Sequence, residues 1–182
     1  MLDKISVKVL SQFDWVKRNL IVWNFKTGKP EKQSYRKETE FLWFYSNENH
    51  YLNIDEIRIP YTNGGVEKDK RKNPKGKTCG NVWEYSRIMK NYPEWVNHPT
   101  QKPLNLCNRI VKASSNQGDF VYIPFGGSGS EIISCKNLNR KFIANEINKE
   151  YYKLIYKRLG KFDKSYYEQL PKEEKPKQKQ LF

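Results

Sequence analysis

The chain has 182 residues, with 34 Lys and Arg against 20 Asp and Glu, for a formal charge of +14. That length suits one domain with a core large enough to fold, and the charge points to a polyanion as partner. No apolar stretch approaches the roughly 18 residues that a membrane span needs, and no Cys-x-x-Cys or Cys/His cluster offers a zinc site, so membrane and metal classes are set aside.

Asp3–Phe13 carries a weak amphipathic pattern that predicts a helix. Leu20–Phe25 and Phe41–Tyr45 predict strands, joined by polar, basic residues 26–40. Tyr51–Ile54 and Ile57–Ile59 read as short extended pieces, and Tyr61–Gly80 as loop. In that loop Lys68, Lys70, Arg71, Lys72, Lys75 and Lys77 cluster with Asn73, Pro74 and Gly76. Such a segment suits phosphate contacts that position DNA, or a plain solvated loop, and we favour the first. Trp83, Tyr85, Tyr92 and Trp95 follow it, either to stack on bases or to fill a core. Cys79, Cys107 and Cys135 are odd in number, with no signal peptide ahead of them. That predicts reduced thiols and a cytoplasmic protein. His50 is isolated and reads as a surface residue.

The second half is denser in chemistry. Pro103 suits the first turn of a helix, and Leu104, Leu106, Ile110 and Val111 then give it an apolar face. Asp119–Ile123 is a short apolar run after a Ser-Ser-Asn-Gln-Gly turn, as a buried parallel strand would be. Pro124 ends its ladder, having no N–H to donate. Gly126, Gly127 and Gly129 let backbone approach a ligand. Ser130–Cys135 reads as the next helix, its first amides aimed into the loop. Lys141–Glu146 predicts a second strand, and Asn148–Leu159 a helix with Tyr151, Leu154, Ile155 and Leu159 on one face. Glu146 lies about 23 positions after Ile123, close to the roughly 20-residue spacing at which an acid meets ribose hydroxyls. A lone glycine loop reads equally as a tight turn; the acid ending the next strand turns the reading toward a nucleoside site. Residues 161–182 are polar and read as a mobile basic tail, with one helical turn near Tyr166–Leu170.

His98-Pro-Thr-Gln-Lys-Pro103 together with Pro124-Phe-Gly-Gly-Ser-Gly129 resembles the S-adenosylmethionine-binding half of the DNA amino-methyltransferases, which methylate adenine N6 or cytosine N4. The likeness is to the permuted (beta) group, in which the catalytic region precedes the cofactor loop, and it runs from about Phe13 to Leu159. It implies an α/β, Rossmann-like methyltransferase fold with a basic, loop-rich insertion. It implies that Phe125, Gly127 and Gly129 line the methionine part of the cofactor and that Glu146 holds the ribose. The stretch Thr100, Gln101 and Lys102 would close over the methionine carboxylate. His98, Pro124 and Ser128 complete the candidate site, although His98 reads also as a capping or packing histidine.

Two departures stand out. The family loop usually opens with Asp, where this chain has Ile123. That loss removes a charge-assisted contact of ~1.5–3 kcal/mol, about ten- to a hundredfold in affinity. The family's catalytic motif, Asp/Asn/Ser-Pro-Pro-Tyr/Trp, is also missing, so no catalytic residue is found in this chain. That motif localises the amine's lone pair and stacks on the flipped base. The resemblance places its strand and a neighbour mid-sheet, between strands this chain does supply, so the sheet is expected to be incomplete, with open edges that seek a partner.

The expected organisation is late sheet strands in 1–60, target recognition in 61–97, the cofactor unit in 98–160 and the tail in 161–182. The expected function is the cofactor-binding and DNA-recognition portion of a DNA methyltransferase, on adenine N6 before cytosine N4. Its partners would be DNA and a second chain supplying the catalytic half, or else a homo-oligomer. The alternatives are an inactive DNA-binding protein of that descent and an RNA methyltransferase subunit.

Overall fold

The computed structural model describes residues 12, 14–62 and 69–161. The helix predicted over Asp3–Phe13, Lys68 and the tail beyond Lys161 lie outside them. The chain divides into two compact units, one formed by residues up to Leu52 with Gly80–Arg87, the other by Asn53–Cys79 with Ile88 onward. The stretch 61–97 is thus shared between the units.

In the first unit, β1 (Val16–Asn24) and β2 (Thr39–Ser46) form an antiparallel hairpin. A register irregularity falls between Lys17 and Asn19. There Arg18 reaches across, donating from Nε to Ser46 Oγ at 2.8 Å and from Nη2 to the Asn47 carbonyl at 3.0 Å. The pairing carries both strands beyond their apolar cores. β3 (Val82–Glu84) joins β1 in parallel, for the order β2-β1-β3. Trp23, Phe25 and Trp83 are buried. Both indoles find acceptors, Trp23 Nε1 at the Tyr85 carbonyl (2.7 Å) and Trp83 Nε1 at the Gly80 carbonyl (2.9 Å). The Arg87 guanidinium lies 3.5 Å from the Phe25 ring centroid. Trp83 is therefore core and Tyr85 half-buried, as are Tyr92 and Trp95 of the second unit.

In the second unit, Ile54 and Ile57, read as the ends of two extended pieces, are instead the ends of one 3-10 turn, Ile54–Ile57. Ile59 and Lys77 then exchange both backbone hydrogen bonds at 2.9 Å, closing the basic loop at its base. α1 (Leu104–Ser114), β4 (Phe120–Ile123), α2 (Ser130–Asn137), β5 (Lys141–Ala144) and α3 (Lys149–Lys161) follow. β5 stops short of the predicted Glu146 because β4 offers no further ladder beyond Ile123. The last rung is Asn145 N–H to the Ile123 carbonyl at 3.0 Å, and Asn145 then turns its own carbonyl to Gly126 N–H at 2.7 Å.

β4 and β5 are parallel, and their faces differ. Val121, Ile123, Phe142 and Ala144 pack with Val111, Ile132, Cys135, Ile155 and their neighbours into one core. On the other face Phe120, Tyr122 and Ile143 are 68%, 63% and 58% exposed. Buried Arg140 ties the end of α1 to the α2–β5 turn, donating to the Ser115 carbonyl at 2.7 Å and the Leu138 carbonyl at 2.6 Å.

Candidate functional site

The site is the seam where β4 ends. Gly127 and Gly129 adopt φ +51° and +79°, conformations that glycine takes without strain. Gly126 is held by space instead: a Cβ there would stand 2.9 Å from Ile155 Cδ1. Gly129 N–H closes the loop on the Gly126 carbonyl at 2.7 Å, and α2 starts at Ser130. Ser128 is buried, with Oγ 3.1 Å from Ser130 Oγ. Arg158 of α3 donates to the Ser128 carbonyl, bracing the loop from behind.

Glu146 faces this loop. Its Oε2 accepts from Gly127 N–H at 2.6 Å and its Oε1 from Asn148 N–H at 2.7 Å. The Asn148 and Gly127 amides hold its carboxyl below the usual range. Each oxygen keeps a second lone pair, so the group can accept further donors as a fixed anion. Asn148 in turn caps α3, its Oδ1 accepting from Glu150 N–H at 2.9 Å and Tyr151 N–H at 3.2 Å.

His98 completes the seam. Its ring lies 4.3 Å from that of Tyr151, and its Nε2 is 3.4 Å from where a Cβ on Gly127 would stand. Nδ1 accepts from Thr100 N–H at 3.3 Å. Burial pushes the imidazole below its ordinary range, against the pull of Glu146. The ring is therefore neutral at pH 7 and packs as a flat wall. Gln101 is buried and its amide is engaged at both ends, accepting from Val96 N–H at 2.8 Å and donating to the Glu94 carbonyl at 2.6 Å. Lys102 is half-buried, while Thr100 and Pro124 are exposed. Phe125 stands 86% exposed at the loop's outer edge.

Ile123 is only 6% exposed and belongs to the helix-facing core, so the position where the family pattern has its acid is filled by packing. The basic loop is partly self-paired. Arg71 meets both oxygens of Asp69 at 3.0 Å, and Lys75 meets Asp55 at 2.8 Å. Lys72 Nζ is 5.1 Å from the Tyr61 ring, and Lys70 and Lys77 are exposed.

A family model described as DNA methylase matches residues 2–157. The chain belongs to the DNA methylase family. It is 36% identical over 155 residues to the type II methyltransferase M1.MboII of Moraxella bovis, across 74% of this chain and 59% of that one. It is 38% identical over 152 residues to the DNA adenine methyltransferase YhdJ of Escherichia coli K12, across 78% and 52%. The chain thus spans little more than half of these relatives. Among solved structures it resembles M1.HpyAVI, crystallised with SAM, at TM-score 0.57 and 27% identity, over 85% of this chain and 69% of that one. It also resembles the PvuII DNA methyltransferase, named as cytosine-N4-specific, at TM-score 0.65 over 89% and 58%. That match, at 15% identity, is a likeness of fold alone. The DNA methylase chain has the α/β, Rossmann-like methyltransferase fold, with an incomplete sheet.

Three residues in and behind the seam escape the sequence reading. Arg158 has a signal, sitting seven positions after Tyr151 on the face already drawn for α3. Tyr151 is counted there as an apolar residue, not as the ring against His98. Glu94 has none: an acid between Pro93 and Trp95 reads as loop.

Proposed function

We propose that this chain is the cofactor-binding and DNA-recognition portion of an S-adenosylmethionine-dependent DNA amino-methyltransferase acting on adenine N6. The observation that carries it is the Glu146 carboxylate fixed over the glycine loop by Gly127 N–H at 2.6 Å. The spare lone pairs of that fixed anion fit a ribose diol. S-adenosylmethionine supplies an electrophilic methyl group when bound. Glu146 orients the nucleoside end, the Gly126–Gly129 backbone admits the cofactor closely, and the His98 ring walls one side. Thr100, Lys102, Pro124, Phe125 and Ser128 border the same seam. Adenine is preferred because the YhdJ relative, at 38% identity, is named an adenine methyltransferase.

The amine-activating loop comes from polypeptide outside these 182 residues, in a second chain or a longer one. Two features support this. None of the 182 residues forms the Asp/Asn/Ser-Pro-Pro-Tyr/Trp tetrapeptide. β2 and β4 are each an edge strand among the described residues, and the outer face of β4–β5 is apolar and bare. Parallel strands are normally covered on both faces.

Lys70, Arg71, Lys72, Lys75 and Lys77 contact DNA phosphates. Their ion pairs to Asp69 and Asp55 are solvent-exposed and therefore weak, so phosphate can replace Asp69 and Asp55. Lys68 belongs to the same sequence cluster.

Isothermal titration with S-adenosylmethionine, with DNA and a catalytic-half polypeptide present, tests the reading. Binding that Glu146→Ala weakens supports it; no binding at millimolar cofactor sinks it. A second reading, an inactive DNA-binding protein, is favoured by the burial of Ile123. It predicts salt-sensitive DNA binding that Glu146→Ala leaves unchanged, and no cofactor binding.

A further inference from the structure

A buried carboxylate stands behind the seam with no part yet assigned. Glu94 is 8% exposed, and its Oε2 accepts from Leu104 N–H at 3.0 Å, ten residues along the chain. Leu104 opens α1, and the residue at its cap, Pro103, makes no side-chain cap hydrogen bond. The carboxylate thus does from a distance what Ser or Asp does at an N-cap: it satisfies an orphan amide and faces the positive end of the helix. The Glu94 carbonyl is bonded as well, by the Gln101 amide at 2.6 Å. Gln101 Oε1 then takes Val96 N–H at 2.8 Å, and the Val96 carbonyl takes His98 N–H at 2.7 Å.

We infer that Glu94 is a positioning residue of the site: it fastens the start of the 94–104 loop to the first amide of α1, so that His98 within the loop is held against Gly127 and Tyr151. That role in ligand binding rests on the cofactor reading above. The geometry behind it is independent of any ligand. His98 is limited on its far side by the Tyr151 ring at 4.3 Å and by the bare Cα of Gly127. On its near side the main chain of the 94–104 loop is bracketed by the bonds of Glu94 and Gln101. A loop free at Leu104 would let the ring leave the glycine loop. Burial raises the Glu94 carboxyl to about 7, while the Leu104 amide and the Arg158 charge on α3 oppose that rise. Lys102 on the same loop and Glu131 in the first turn of α2 act with Glu94 and Arg158 on buried Cys107 of α1, and are further charged groups of this neighbourhood.

The test compares Glu94→Ala and Glu94→Gln in the full chain with two kinds of readout. NMR of the His98 ring and hydrogen exchange at the Leu104 amide need no cofactor; titration calorimetry measures S-adenosylmethionine. Glu94→Ala is expected to move the His98 ring resonances, to raise its pKa toward the free imidazole value, to speed Leu104 exchange and to weaken cofactor binding about tenfold. Glu94→Gln keeps an oxygen in place and is expected to restore all four. Should Glu94→Ala not fold, Glu94→Asp, which withdraws the carboxylate by one methylene, takes its place. Unchanged His98 resonances and affinity within twofold of the parent, or a folded Glu94→Gln protein without rescue, would overturn the inference. A parent protein that binds no cofactor defeats the cofactor reading instead, and the His98 and Leu104 readouts still decide what Glu94 does.

Discussion

Gly127 and Glu146 are joined directly, the Gly127 amide donating to the Glu146 carboxylate across 2.6 Å. This bond fastens the end of the second parallel strand to the loop leaving the first. It orders the loop and keeps the carboxylate charged beside it.

Glu146→Gln should therefore weaken S-adenosylmethionine binding ten- to a hundredfold, the loss expected for hydrogen bonds to a charged acceptor, ~1.5–3 kcal/mol. Titration calorimetry measures it. The Glu146 carboxyl is held below its ordinary value by the Asn148 and Gly127 amides. Its contribution is complete above that ordinary value, and is lost only as pH falls through the lowered one. The Glu146-dependent part of affinity should therefore be constant from pH 8 to pH 6.

Glu94 has the opposite sign. Its carboxyl is raised from 4.5 to about 7, so between those values the folded chain holds a proton that the unfolded chain releases. Stability from this group falls as pH rises through that window, by at most about 3 kcal/mol. Glu94→Gln removes the titration and should unfold at higher urea than the parent at pH 8, with little difference at pH 5. Paired urea melts at the two pH values measure it.

Ile123→Asp should destabilise the chain by about 3–5 kcal/mol, because the side chain enters the apolar cluster of Val111, Ile132, Cys135 and Ile155 as an unpaired acid. Ile123→Val, which removes one methylene from the same place, should cost only about 0.5–1.5 kcal/mol. Thermal denaturation of both variants separates charge from volume. An aspartate tolerated as well as valine would mean that the side chain reaches solvent or a cation.

Lys70, Lys72 and Lys77 changed together to Ala should flatten the dependence of DNA affinity on salt. Each phosphate contact contributes about 0.9 to the slope of log affinity against log salt, so the triple variant should lose about 2–3. Fluorescence anisotropy with duplex DNA from 50 to 200 mM salt reads it directly. An unchanged slope would place the DNA elsewhere.

What the sequence made legible is what neighbours in sequence determine. The positive-φ glycines at 127 and 129, the Asn148 start of α3 and the apolar face of α1 act within a few residues of themselves, and Glu146 was legible through its spacing from β4 although its partner Gly127 lies across the fold. Pro124 marks the end of β4 for the same local reason. Contacts over longer separations were hidden. The Ile59–Lys77 bridge closes a segment that reads only as loop, and Glu94 meets Leu104 because the chain folds back between them. The strands of the hairpin run past their apolar cores because pairing, not composition, sets their ends.

The outer face of β4–β5 remains, where Phe120, Tyr122 and Ile143 meet solvent with Lys141 Nζ 5.2 Å from the Phe120 ring. The melting temperature of a chain carrying such a surface depends on what covers it. Whatever covers those three side chains adds RT ln(1 + [L]/Kd) to its stability, so its thermal midpoint will climb with the concentration of that partner. Without one, the same face favours self-association, and the yield of folded protein will fall as it is concentrated.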